Sequence, residues 1–158
     1  MKKNEDYSEA IQRLVNAINK IDGAYYFCAK SMGIKENTLA LLSALDDGRV
    51  HTQKQICEDW LIPKTTINTV VKELIEEDYI LLGAAGPTRE KTILLTEKGR
   101  QYADGILKHM RLSEQQALES TLQNFSPEFV DAFECFSKNL CDEFQKRILD
   151  RKEERKEI

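Results

Sequence analysis

A short segment in the middle of the chain contains two helix starts and one helix end, which limits how this part can fold. Thr52 and Gln55 have the spacing of a capping box, in which the threonine hydroxyl accepts from the third helical amide and the glutamine reaches back. Pro63 suits the first turn of a following helix, because its missing N–H would have no partner there. The segment therefore predicts two helices, over residues 52–59 and 63–77, joined by a tight turn.

The hydrophobic pattern changes after the second of these helices. Residues 79–82 and 92–95 are short apolar runs that are compatible with β-strands. Residues 83–90 between them contain two glycines and one proline, which is typical of a hairpin loop. Two helices, a tight turn and a hairpin in this order predict a winged helix-turn-helix.

Longer helical patterns lie on both sides of this lobe. One helix is predicted from about Tyr7 to Ser31, and a short one follows over 36–45. After the hairpin, Thr96 can cap a long helix, and Ser126-Pro127 opens a last one whose apolar stripe is Phe129, Phe133, Phe136, Leu140, Phe144 and Ile148. Glycine and proline are scarce, with 7 and 3 of the 158 residues. The predicted fold is therefore mainly α with a small β-hairpin wing.

The terminal helices carry more apolar surface than a small lobe can cover. We therefore expect a homodimer in which helices from both termini pair with those of a second copy. The predicted organisation is an N-terminal dimerisation helix over residues 1–33, a winged helix-turn-helix lobe over 34–100 and C-terminal dimerisation helices over 101–158.

Composition excludes several other classes of protein. No run approaches the length of a membrane span, and the charged N-terminus leads into no apolar segment, so we expect a cytoplasmic protein without a secretion signal. The four cysteines form no C-x-x-C pair, which favours reduced thiols, and the two histidines have no partners at metal-ligand spacing. Nucleophile elbows and phosphate-binding loops are missing as well, so we expect neither catalysis nor a cofactor.

One face of the helix predicted over 63–77 is polar and contains no acidic residue before Glu73. Threonine, asparagine and lysine can pair with base edges or phosphates, although the same face could be an ordinary solvated surface. The net charge of −4 gives no basic footprint over the whole chain, so a nucleic-acid interface must be local. The candidate DNA contacts are Gln53, Lys54, Lys64, Thr65, Thr66, Asn68, Thr69, Lys72, Arg89 and Lys91.

From about Glu36 to Ala103 the sequence resembles the MarR family of winged-helix regulators. The order and spacing of four pieces carry the resemblance: residues 55–68, Leu74, Tyr79-Ile80 and residues 95–99. It implies a homodimeric transcription factor, usually a repressor that binds a pseudo-palindromic duplex and is often released by a small-molecule effector.

The resemblance also assigns positions. Lys64, Thr65, Thr66, Asn68 and Thr69 fall in the family's recognition helix, Gln53 and Lys54 fall near the DNA backbone, and Arg89 matches the wing-tip arginine.

The chain departs from the family at several of its positions. Pro87 replaces the aspartate of the family's wing motif, and Thr69 stands where arginine is common. Leu61 and Asp78 occupy positions where glycine is frequent. Because leucine adopts a left-handed conformation poorly, we expect the turn at Leu61 to differ.

Two alternatives stay open. A winged-helix protein-interaction module is the second hypothesis, motivated by the acidic net charge, the missing wing aspartate and Thr69. Between residues 51 and 100 there are seven Lys or Arg against eight Asp or Glu, so the lobe is not a polycation. The aromatic run Tyr25, Tyr26 and Phe27 is the candidate for an effector cleft, because aromatic side chains line most small-molecule sites. Cys57 and Trp60 fall at positions that we expect to be core.

Overall fold

The computed structural model describes residues 7–83 and 90–149. The chain divides into two compact units, Met1–Arg111 and Leu112–Ile158. The elements, in chain order, are α1 Ser8–Ser31, α2 Glu36–Leu45, β1 His51–Thr52, α3 Gln53–Asp59, α4 Lys64–Glu76, β2 Ile80–Leu82, β3 Thr92–Leu95, α5 Glu97–Leu122, α6 Glu128–Phe144 and a π-helical turn, Gln145–Leu149.

The predicted capping box is confirmed at the start of α3. The Gln55 amide donates to Thr52 Oγ1 at 3.2 Å, and the Thr52 amide donates to Gln55 Oε1 at 2.8 Å. Pro63 lies one residue before α4 rather than in its first turn, because its backbone is extended (ψ 137°). Its carbonyl accepts from the amides of Thr66 and Ile67, which begins the helical ladder at this position.

The predicted hairpin is confirmed as the antiparallel pair β2 and β3, in which Leu81 lies opposite Leu94. The sheet has a third strand that the hydrophobic pattern does not reveal. The two residues of β1 pair with β3, which gives the strand order β1-β3-β2. Thr52 is both the end of β1 and the cap of α3, so the sheet fixes where α3 begins.

The core of the first unit lies where α2, α3, α4, the sheet and the first half of α5 meet. Its largest fully buried side chains are Leu41, Leu42, Ile56, Ile67, Ile80, Ile93 and Leu107. Ile56 is the one buried residue of α3, and α4 buries four. Because these apolar positions face inward, the polar side chains of α3 and α4 are left at the surface.

Among the residues that the structure describes, two other than glycine have positive φ: Leu61 at 50° and Asp78 at 58°. The expectation that the turn at Leu61 differs is wrong, since Leu61 adopts the left-handed conformation that glycine favours. A left-handed conformation costs an ordinary L-residue roughly 1–2 kcal/mol. The neighbouring core contacts of the helix-turn-helix hold the turn in this form, because Ile62 packs against the core.

Trp60 is not core, as the sequence position suggested, but 45% exposed. Helix α3 ends at Asp59, and Trp60 is its C-terminal cap, with its amide donating to the carbonyl of Ile56 at 3.1 Å. Cys57 is half-buried against the core, which agrees in part with the expectation for this residue.

The second unit contains the end of α5, helix α6 and the π-helical turn. Helix α6 has no buried residue, although its aromatic stripe is present. The rings of Phe129 and Phe133 stack at 6.2 Å, and these side chains are 44% and 38% exposed. In this single chain the apolar face of α6 is therefore left open to solvent.

Candidate nucleic-acid interface

The exposed polar face of α4 carries most of the predicted DNA contacts. Lys64, Thr65, Thr69 and Lys72 are exposed, and Thr66 and Asn68 are half-buried. The opposite face holds the buried residues Ile67, Val70, Val71 and Leu74. Because the buried side is apolar, α4 presents its polar side to whatever binds the lobe.

A side-chain hydrogen bond connects α3 to this face. Gln53 Nε2 donates to Asn68 Oδ1 at 3.2 Å. An asparagine that reads adenine uses both its amide oxygen and its amide nitrogen. To read a base in this way, Asn68 would have to share its oxygen with Gln53 or lose the hydrogen bond from Gln53.

The side chain of Thr69 makes a hydrogen bond within its own helix. Its hydroxyl donates to the carbonyl of Thr65, one turn earlier, at 3.1 Å. The hydroxyl proton is occupied in this arrangement, so Thr69 offers an acceptor oxygen and no positive charge. The positive charge of this face comes from Lys64 and Lys72.

Lysines from three elements converge on one surface cavity of about 320 Å³. Lys54 is on α3, Lys64 begins α4, and Lys91 immediately precedes β3. The cavity also contains two carboxylates, and its complete lining is Thr52, Gln53, Lys54, Cys57, Glu58, Lys64, Glu90 and Lys91. Three lysines against two glutamates give the lining a formal charge of +1.

One of these lysines already has a partner. Lys54 Nζ lies 3.9 Å from Glu58 Oε1, and both side chains are more than 60% exposed. Exposed pairs of this kind contribute little to stability. Lys54 can therefore exchange Glu58 for a phosphate at small cost.

Arg89, the predicted wing-tip contact, lies outside the described residues, as does Pro87. The effector candidates Tyr25, Tyr26 and Phe27 lie in the last two turns of α1, and all three are exposed. The rings of Tyr26 and Phe27 meet edge to face at 5.3 Å.

A junction between the end of α4 and the start of α5 holds the wing strands in place. Thr96 Oγ1 donates to the carbonyl of Asp78 at 2.7 Å and accepts from the amide of Gly99 at 2.9 Å. Gly99 approaches the carbonyl of Tyr79 so closely that an added Cβ would lie 1.8 Å from that oxygen. The sequence signals Thr96 as a cap, but only the structure shows this close approach.

Aromatic packing reinforces the same junction. The rings of Tyr79 and Tyr102 stack at 4.1 Å with an interplanar angle of 3°. Lys98 donates to the carbonyl of Glu77 at 2.6 Å and lies 4.8 Å from the centre of the Tyr79 ring. Partial burial raises the pKa of Tyr102 above its usual value, with a smaller contribution from Tyr79.

In the part of the chain that the structure describes, no group of three or more His, Cys, Asp or Glu side chains is placed to hold a metal ion. Among residues 7–83 and 90–149, no helix has the length and apolarity of a membrane span.

A helix-turn-helix, a three-stranded wing sheet and long flanking helices define a winged-helix fold. Among solved structures, the chain is similar to a MarR family regulator from Neisseria meningitidis, with 22% identity, a TM-score of 0.69, and 90% of this chain and 98% of that chain covered. A MarR family transcriptional regulator from Silicibacter pomeroyi aligns with 13% identity, a TM-score of 0.66, and coverage of 82% and 93%. A MarR/EmrR family regulator from Acinetobacter aligns with 19% identity, a TM-score of 0.63, and coverage of 90% and 99%.

These likenesses confirm the fold that the sequence resemblance predicts: the chain has the fold of the MarR family regulators. No protein-family model and no curated protein matches the chain. The residue assignments at the interface therefore stay predictions from the sequence.

Proposed function

We propose that the chain is a sequence-specific, DNA-binding transcription regulator that acts as a homodimer. The observation that carries this proposal is the convergence of Lys54, Lys64 and Lys91 on the edge of the polar face of α4. These three lysines come from the bracing helix, the recognition helix and the base of the wing. Phosphate contacts from such separate elements fix the register of a helix in the major groove.

Local charge supports the same function. The sequence contains no Asp or Glu between Trp60 and Lys72, so the start of α4 meets the phosphates without repulsion from its own side chains. In a dimer, two α4 helices would enter successive major grooves about 34 Å apart on a pseudo-palindromic duplex.

The DNA-binding proposal is tested by fluorescence anisotropy with duplexes from the gene's own upstream region against a scrambled duplex. If each protomer neutralises about three phosphates, the logarithm of affinity falls against the logarithm of salt with a slope of about −5 to −6. Affinity should then drop roughly a thousandfold between about 50 and 200 mM salt. Equal affinity for the scrambled duplex would contradict sequence-specific recognition.

The exposed apolar stripes of α1 and α6 support the dimer. We expect sedimentation to give a species of twice the 18.2 kDa chain mass at micromolar concentration. Phe133→Asp should shift this species to monomer, because a carboxylate is costly to bury in an apolar seam. Lys138→Asp introduces the same charge on the opposite face of α6, about 180° from the aromatic stripe, and should leave the dimer intact. A wild-type monomer at these concentrations would contradict the assembly.

We propose further that the regulator is a cytoplasmic repressor released by a small-molecule effector. The exposed aromatic side chains of Tyr25, Tyr26 and Phe27 support an apolar contact with such a ligand.

A second candidate function is a winged-helix protein-interaction module. The observation that favours it is the net charge of −4. It predicts no salt-dependent affinity for any duplex.

A further inference from the structure

The turn between α3 and α4 exposes two large apolar side chains. Leu61 is 72% exposed and Trp60 is 45% exposed, whereas the next residue, Ile62, packs against the core. The turn therefore has one apolar residue that anchors it and two that point away from the core.

Leu61 is an unusual choice for this position on two grounds. Its φ of 50° belongs to the left-handed region, where glycine has no steric cost. Its exposure means that the side chain contributes little core packing in return. A residue held in a sparsely populated backbone region marks a position where function is worth testing.

The position of Leu61 is continuous with the candidate DNA interface. It lies three residues before Lys64, which begins α4 and lines the lysine cavity. The sequence between Trp60 and Lys72 contains no carboxylate that would repel the phosphate backbone.

Duplex DNA offers apolar groups at such a position. The thymine methyl is the apolar group that bases present in the major groove, and apolar side chains contact it directly. The deoxyribose offers a second apolar surface along the backbone.

We propose that Leu61, with Trp60 beside it, packs against an apolar group of the bound duplex, either a thymine methyl or a deoxyribose, at the start of α4. This inference rests on the proposed DNA-binding function and adds an apolar contact to it. The contact is apolar, so it contributes affinity without changing the number of neutralised phosphates.

The test compares Leu61→Gly and Leu61→Asn with wild type on the duplex that wild type binds best. Both variants should unfold at a higher temperature, because glycine and asparagine adopt the left-handed conformation more easily. Both should nevertheless bind the duplex about tenfold more weakly, with an unchanged salt slope. Asp78→Gly is the matched control: it should raise the unfolding temperature in the same way and leave the affinity unchanged.

Replacing thymine by uracil in the duplex identifies the contacted group. If uracil weakens wild type and leaves Leu61→Gly unaffected, the contact is the thymine methyl. If uracil has no effect and both Leu61 variants still bind weakly, the contact is the deoxyribose. Variants that bind as tightly as wild type would overturn the inference alone, whereas a wild type that binds no duplex at low salt would overturn the proposed function and this contact with it.

Discussion

Replacing Gly99 by alanine is expected to lower the free energy of unfolding by about 3 kcal/mol. An alanine Cβ at this position would lie 1.8 Å from the carbonyl oxygen of Tyr79 and 2.7 Å from its carbonyl carbon. Both are backbone atoms, so no side-chain rotation can relieve the clash. The start of α5 must instead move away from Tyr79, which breaks the bonds that Thr96 makes at the same junction.

Gly105→Ala provides the matched control in the same helix. No heavy atom lies within 4 Å of its added Cβ, so alanine should stabilise α5 by about 0.5–1 kcal/mol through helix propensity. Urea unfolding of both variants at one protein concentration measures the two changes, because dimerisation makes apparent stability depend on concentration. If Gly99→Ala is as stable as Gly105→Ala, the close approach to Tyr79 does not exist in solution.

The packing around Gly99 also affects the position of Lys91 in the candidate DNA interface. The Thr96–Gly99 junction connects the end of α4, the start of β2 and the start of α5 through the Thr96 hydroxyl and the carbonyls of Asp78 and Tyr79. β2 pairs with β3, and Lys91 immediately precedes β3. The position of Lys91 relative to Lys64 therefore depends on how this junction packs.

Local signals are enough to predict most of the elements. The capping box at Thr52 and Gln55 acts over three residues, so the sequence alone locates the start of α3. The two-residue strand β1 escapes prediction because it is too short for alternation to show, and its pairing with β3 joins residues that are 40 positions apart in the chain. Trp60 is misjudged for a related reason: burial of an apolar side chain depends on what packs over it, and the helix end at Asp59, which the sequence locates correctly, does not decide this.

In the candidate site as well, features that depend on local sequence can be predicted, and features that depend on long-range packing cannot. The polar face of α4 is visible in the sequence, because helical periodicity assigns faces without any tertiary contact. The Gln53–Asn68 hydrogen bond and the meeting of Lys54, Lys64 and Lys91 around one cavity depend on how α3 packs on α4 and on the sheet. Leu61 is a case in which local preference gives the wrong prediction. Leucine disfavours the left-handed conformation, but the packing of the neighbouring residues imposes it.

The lysines that line the cavity give the second large expected effect, which is a loss of DNA affinity when they are replaced. Replacing Lys64 and Lys91 together by alanine should weaken binding to every duplex by about a hundredfold at moderate salt. A dimer would lose about four phosphate contacts, so the salt slope should fall from about −5 or −6 to about −2. Because phosphate contacts carry no sequence information, the ratio of affinities for specific and scrambled duplexes should stay nearly constant.

Two further variants separate this local effect from net charge. Lys138→Ala removes an exposed positive charge from α6, outside the lobe, and should leave both affinity and salt slope unchanged. Glu58→Gln removes the carboxylate that pairs with Lys54 at 3.9 Å, so it should raise affinity several-fold and leave the slope near −5 or −6, because Lys54 already counts among the three phosphate contacts of each protomer. A loss for Lys138→Ala about half as large, on a logarithmic scale, as that of the Lys64/Lys91 double variant would mean that the duplex responds to total charge rather than to this cavity. Opposite effects of the lysine and Glu58 substitutions would instead locate the phosphate contacts between α3, α4 and the base of the wing.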